Sequence, residues 1–357
     1  MSDSGLPAES QTGGILQRPT VDNLLTVVIA MLATSLIALA VFWGYSWWAS
    51  TRLESQSSPA SRTIEGLRGS VQTDPGNAAI RVRLAEALAT AGLKNEAVSQ
   101  LQQAVKIDPK HTGAWLDLGT IALQQNQSKV ATRYFQKVVD LTEGDQMADV
   151  NARREQALFG LAQVAVNDKR WTDALRFIKG AIRIRQDASD SYLILAEAYQ
   201  GTGDTNKAIQ NLKIALIFDP NFGQAHYQLG LIEKAEGNLQ VAAIEFRKAA
   251  DAAPAAAEPA AALNAMGPAS KWVAAAVAKT SSKDLKGAKS DYEIALALDP
   301  HSVPTALAYA SLLEQLGQKT NTLRAYRQIL EEDQGNKVAQ AAVLRLTAPK
   351  HRAKKRQ

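Results

Sequence analysis

The chain has 357 residues, 46% of them apolar, enough to bury one large core or several small ones. It contains no cysteine, which excludes disulfides, thiolate metal sites, a cysteine nucleophile and a lipidated N-terminal cysteine. Forty basic residues against 35 acidic ones leave a net charge of +5, too small a basic excess for a dedicated nucleic-acid binder, so no specific nucleic acid is expected as a partner.

Residues 1–22 form a polar N-terminal segment, and the first strong signal follows at 23–50. No charge occurs between Asp22 and Arg52, and only Thr26, Thr34 and Ser35 interrupt the apolar run 24–43. At 1.5 Å per residue such a helix crosses a hydrocarbon layer of about 30 Å. Trp43, Tyr45, Trp47 and Trp48 close it, where amphipathic rings settle at the headgroup level. A cleaved signal peptide would begin with a basic region, whereas this segment holds Asp3, Glu9 and Asp22 with only Arg18. The expectation is a retained single-pass anchor in a cell membrane, with the lipid bilayer as one partner through 23–50. Arg18 precedes the span and Arg52 and Arg62 follow it. That count leans toward a cytoplasmic C-terminal domain and leaves the side open.

Residues 51–61 are rich in Ser and Gln with a Pro, and predict a linker. Beyond them the apolar spacing is helical and no strand pattern appears. Pro75 and Pro109 lie 34 residues apart, while Pro109, Pro220 and Pro300 lie 111 and 80 apart. With a period of 34 these intervals are three periods plus 9 residues and two periods plus 12. Units starting at Ala78, Thr112, Glu155, Ser189, Gly223, Ala269 and Val303 bring small residues into line. The eighth place is Ala85, Gly119, Ala162, Ala196, Gly230, Ala276 and Ala310; the twentieth is Ala97, Ala131, Ala174, Ala208, Ala242, Ala288 and Thr322. The twenty-fourth is large and apolar throughout, from Leu101 and Phe135 to Tyr326. Small residues at two places let antiparallel helices approach below the usual 8–10 Å. Gly92, Gly203, Gly237 and Gly317 fall at the turn between them, where a left-handed residue ends a helix.

These units resemble tetratricopeptide repeats. The family's Trp, Leu-Gly, Ala and Phe pattern is met at Trp115, Leu118, Gly119, Ala131 and Phe135, and again at Tyr192, Leu195, Ala196, Tyr199, Ala208, Leu212, Ala215 and Pro220. Glu143, Gln186 and Gln334 depart from it by replacing the closing proline. The resemblance implies an all-α fold: an α-solenoid of about seven helix pairs over 62–346, with a leading helix at 62–71, a closing helix at 337–346 and a basic tail at 347–357. The nine extra residues fall at 146–154 and the twelve at 257–268, the latter predicting a short helix or a joint.

Little chemistry is visible. His111 and His301 sit in predicted turns, His351 in the tail, and His226 at a bulky place that predicts a packed core histidine. No nucleotide-binding loop, nucleophile elbow or zinc-helix spacing occurs, so no enzyme, no cofactor and no metal is expected. The resemblance implies a protein or peptide ligand, bound on the concave face by first-helix places 2, 5, 6, 9, 12 and 13. Seven charges fall there: Arg83, Glu86, Asp117, Asp190, Glu197, Lys234 and Glu314. The family's carboxylate-clamp places hold Val82, Glu86, Asp117, Gln156 and Gly160, which disfavours that mode. The candidate groove residues are Leu116, Phe159, Leu193, Ile194, Glu197, Tyr227, Leu231, Val273 and Val277, suited to an apolar segment with neutral-to-basic flanks. Glutamate at Leu193 and Ile194 is expected to abolish capture while leaving thermal stability nearly intact. The resulting expectation is a membrane-tethered scaffold or adaptor, with a structural subunit of a larger membrane complex as the alternative.

Overall fold

A computed structural model describes residues 21–57, 59–143 and 152–348. They form eighteen α-helices, with no strand among the described residues. The first two are α1 (Val21–Ser57) and α2 (Pro59–Thr73). Antiparallel pairs follow: α3 (Ala78–Thr90) with α4 (Lys94–Ile107), α5 (Thr112–Gln124) with α6 (Ser128–Leu141), α7 (Ala152–Asn167) with α8 (Trp171–Ile184), α9 (Ser189–Gly201) with α10 (Thr205–Phe218), and α11 (Gly223–Ala235) with α12 (Leu239–Ala252). After a short α13 (Ala257–Asn264) come α14 (Ala269–Ser281) with α15 (Leu285–Leu298), α16 (Val303–Gln315) with α17 (Lys319–Glu332), and a closing α18 (Lys337–Thr347). The fold is an all-α solenoid of helix pairs. Two compact units divide within α4, between Gln100 and Leu101.

One device turns each pair. The fifteenth place has positive φ in all seven pairs: Gly92, Gly203, Gly237 and Gly317, but Asn126, Lys169 and Lys283 in the others. The following amide bonds back to the carbonyl five residues earlier, as Leu93 does to Leu88 and Arg170 to Ala165, at 2.8 and 2.7 Å. This is the Schellman closure, which satisfies carbonyls the helix end would leave bare. The eighth and twentieth places are buried in every pair, as the small residues there require for close approach.

In the first unit, α1 contains the one described stretch long and apolar enough to cross a membrane, Met31–Trp48, with its large side chains exposed. The linker expected at 51–61 is instead helical: α1 continues to Ser57 and α2 begins at Pro59. No Gly or Pro lies in 51–57 to stop propagation, and a proline suits a first turn because its missing N–H is not needed there. Arg68 pairs with Glu96 at 2.6 Å, and Arg81 bonds the Pro75 carbonyl and, at 3.0 Å, Gln100.

In the second unit, α7 starts three residues before Glu155. From that extension Arg154 donates to the Val139 carbonyl at 3.0 Å and the Thr142 hydroxyl at 3.3 Å, fastening the end of α6. The rest of the first insertion, 146–151, lies outside the described residues, as do 1–20 and 349–357 of the two terminal segments. The second insertion is α13, whose Leu263 and the following Met266 are buried beside Phe246. Here the packing order changes. Beyond its pair mate α11, α12 packs on α13 and α15, whereas α6, α8 and α10 each pack on the first helix of the next pair. Arg247 of α12 secures the joint, donating from Nε to the Ala297 carbonyl at 2.7 Å and from Nη2 to that of Leu298 at 3.2 Å.

Candidate binding cleft

The first helices α5, α7, α9 and α11 follow one another, and their facing residues enclose a cleft of about 630 Å³. Its apolar wall is Leu123, Phe159, Val166, Leu193, Ile194 and Phe222. Gln163, Asn167, Gln224, Asp190 and Glu197 supply the polar part. Four of the nine groove candidates therefore meet here: Phe159, Leu193, Ile194 and Glu197. The other five lie elsewhere. Leu116 packs half-buried on the Phe135 cluster, Tyr227 tilts over Phe246 with centroids 5.8 Å apart, and Val273 packs beside Tyr292 and Leu312. Leu231 is 36% exposed and Val277 50%.

Burial corrects one expectation. Leu193 is 3% exposed and Ile194 8%, and each belongs to a core cluster: Leu193 with Leu212 and Leu229, Ile194 with Ile178 and Ala162. They form the floor of the cleft rather than a free surface, because α7, α8, α10 and α11 close over their sides. Glutamate at either place puts a charge into the core. The remaining lining residues were missed as candidates, although Leu123, Gln163, Val166, Asn167 and Gln224 occupy places 12, 9, 12, 13 and 2 of their units. Phe222, at the N-cap of α11, lies outside those places.

The charges differ in their surroundings. Arg185 bridges Glu155 at 3.3 Å and Asp190 at 3.7 Å. Burial pushes the Glu155 carboxyl above its ordinary value; Arg185 opposes this and Asp190 adds to it. Glu314 is tied to Arg345 at 2.7 Å. Glu197 stands on the cleft wall with no ion pair or hydrogen bond among the described residues, and burial alone pushes its carboxyl up. A half-buried carboxylate in an apolar wall lacks the hydration it would have in water, so it favours a cation brought by a ligand.

His226 is buried at 5% exposure, its Nδ1 2.5 Å from the Glu245 carboxylate and its Nε2 2.9 Å from the Pro220 carbonyl. It ties α11 to α12 and to the turn before α11, as a packed core histidine. Among the described residues no three His, Asp or Glu side chains gather in a metal-ligand arrangement.

A family model for the tetratricopeptide repeat matches residues 82–148, 116–190 and 194–257. Over these segments, a little under half of the chain, the sequence matches the tetratricopeptide repeat. Among solved structures, the repeats resemble MamA at 22% identity and TM-score 0.41, over 47% of this chain and 94% of that one. The structure of MamA 41-end from Desulfovibrio magneticus RS-1 matches at 19% identity and TM-score 0.43, over 50% and 96%. YrrB, described as a TPR protein with an unusual peptide-binding site, matches at 16% identity and TM-score 0.44, over 55% and 96%. No curated protein matches the sequence.

Proposed function

We propose that the chain is a membrane-tethered interaction scaffold whose cleft between α5, α7, α9 and α11 captures an apolar segment carrying a Lys or Arg. The observation that carries this reading is Glu197, an uncompensated carboxylate on a largely apolar wall. An apolar ligand side chain gains from burial beside Phe159 and Phe222, while a neighbouring cation restores the electrostatics lost by Glu197. Tethering through Met31–Trp48 would raise the local concentration of the cleft beside other membrane components. The role is non-catalytic.

The test is fluorescence anisotropy on the full chain in non-ionic detergent, with labelled peptides of one apolar sequence bearing Lys, Gln or Glu. The Lys peptide should bind best. Glu197→Lys should weaken it at least ten-fold and favour the Glu peptide, and Gln163→Trp should block all three by filling the cleft. Equal affinity for the three peptides, or no response to Glu197→Lys, refutes the reading. Carbonate extraction of membranes tests the tether: the full chain should stay in the pellet and a chain starting at Pro59 should leave it.

A further inference from the structure

The outward face of α6 differs from that cleft in sign and chemistry. Lys129, Arg133 and Lys137 recur there at four-residue steps and are all exposed. No hydrogen bond or ion pair engages them among the described residues. Three other second helices, α10, α12 and α15, each tie one cation down: Lys207 to Asp204, Lys248 to Glu245 at 2.8 Å and Lys289 to Glu293 at 2.7 Å. On α6 the one carboxylate, Asp140, is held by Gln136 at 2.8 Å instead. Like charges four residues apart repel, so the arrangement opposes helix stability and asks for an external partner.

Beside the cations lies a cleft of about 560 Å³ that also contains the rings of Trp115 and Tyr134, 5.7 Å apart and tilted by 36°. The Trp115 indole N–H already donates to the Pro109 carbonyl at 2.9 Å, which leaves the ring for apolar contact. The spacing selects the occupant. Cations four residues apart on a helix are separated by about 6 Å along its axis, close to the roughly 6.6 Å between alternate residues of an extended strand.

We propose that this face is a second docking surface, for an extended acidic peptide segment of a partner protein. Its acids stand at alternate positions opposite Lys129, Arg133 and Lys137, and an adjoining apolar residue rests on Trp115 and Tyr134. Asp140 ends the basic run and repels a continuous polyanion, so a segment with about three acids fits better than nucleic acid. The recess, with its aromatic wall, suits a peptide better than a planar lipid surface.

The probe is a fluorescein-labelled octapeptide with three glutamates at alternate positions and one leucine, titrated by anisotropy against the full chain in non-ionic detergent. Saturable binding is expected. It should weaken at least ten-fold when Lys129→Glu and Arg133→Glu are combined, and by a smaller factor with Arg133→Gln, while the thermal midpoint stays within a few degrees. Glu197→Gln, which brings no cation to the cleft on α7 and α9, should leave it unchanged, and this separates the two surfaces. The proposal is overturned if a peptide with glutamines in place of the glutamates binds equally, or if the charge reversal has no effect. It is also overturned if single-stranded RNA or phosphatidylserine mixed into the micelles displaces the probe at lower concentration than unlabelled peptide.

Discussion

The backbone of Gly119 packs so close to the ring of Phe135 that a β-carbon there would come 2.6 Å from Cδ1 and Cε1. The same ring faces Gly160 of the next pair at 2.5 Å, and Gly230 meets Phe246 in the same way at 2.6 Å. Glycine occupies the eighth place only in the two units whose twenty-fourth place is Phe; the five with Leu, Ile or Tyr there use Ala. Gly119→Ala should therefore overpack its pair and cost about 1–3 kcal/mol by chemical denaturation. Pairing it with Phe135→Leu should recover part of the loss, and the same pairing at Gly230 and Phe246 should behave alike. Unchanged stability in Gly119→Ala would show that the ring moves aside freely.

Leu193→Glu and Ile194→Glu should each destabilise the second unit by more than the roughly 2–5 kcal/mol of a buried Leu→Ala change, because an unpaired charge joins the lost packing. Reduced soluble yield and a lowered unfolding midpoint are the readouts. A wild-type midpoint would place both side chains on a free surface.

Lys169 and Lys283 hold the left-handed turn position at φ 57° and 64°, where four other pairs have glycine. A side chain there costs about 1–2 kcal/mol, part of which glycine returns as chain entropy in the unfolded state. Lys169→Gly should thus stabilise by about 0.5–1 kcal/mol, visible as a raised thermal midpoint. Gly203→Lys should lower it by a similar amount.

Glu197 gives stability a pH dependence of defined sign. Its folded-state carboxyl titrates above the ordinary value of 4.5, because burial disfavours the charge. The contribution of the neutral form is complete below that ordinary value and is lost as pH rises through the folded one. Glu197→Gln should therefore be more stable than the parent at pH 7 and should flatten the decline above pH 4.5, measured by denaturation across pH. Glu155 shifts in the same direction and leaves a residual slope.

Much of the fold is legible in the sequence because the repeat rests on steric rules of one or two residues. A small residue at places 8 and 20 and a turn residue at place 15 are local requirements, and seven copies repeat them. The cleft is less legible. Place numbers put Leu193 and Ile194 on the groove side of α9, but whether they are wall or core depends on how α7, α8, α10 and α11 close around them. The helical character of 51–57 was hidden by polar composition, since Ser and Gln serve linkers and exposed helices alike. The joint at α13 is a tertiary matter: an Ala-rich dozen of residues says helix, not which neighbour it displaces.

That joint has an energetic consequence. A solenoid's stability is close to a sum over units and the couplings between neighbours. Between α12 and α15 the coupling is of a different kind from the others, built from α13 and from Arg247 bonded to the last carbonyls of α15. Cooperative unfolding propagates only as far as adjacent couplings are matched. The chain therefore contains a built-in boundary near Ala253, across which amide exchange should separate into two populations with their own opening energies.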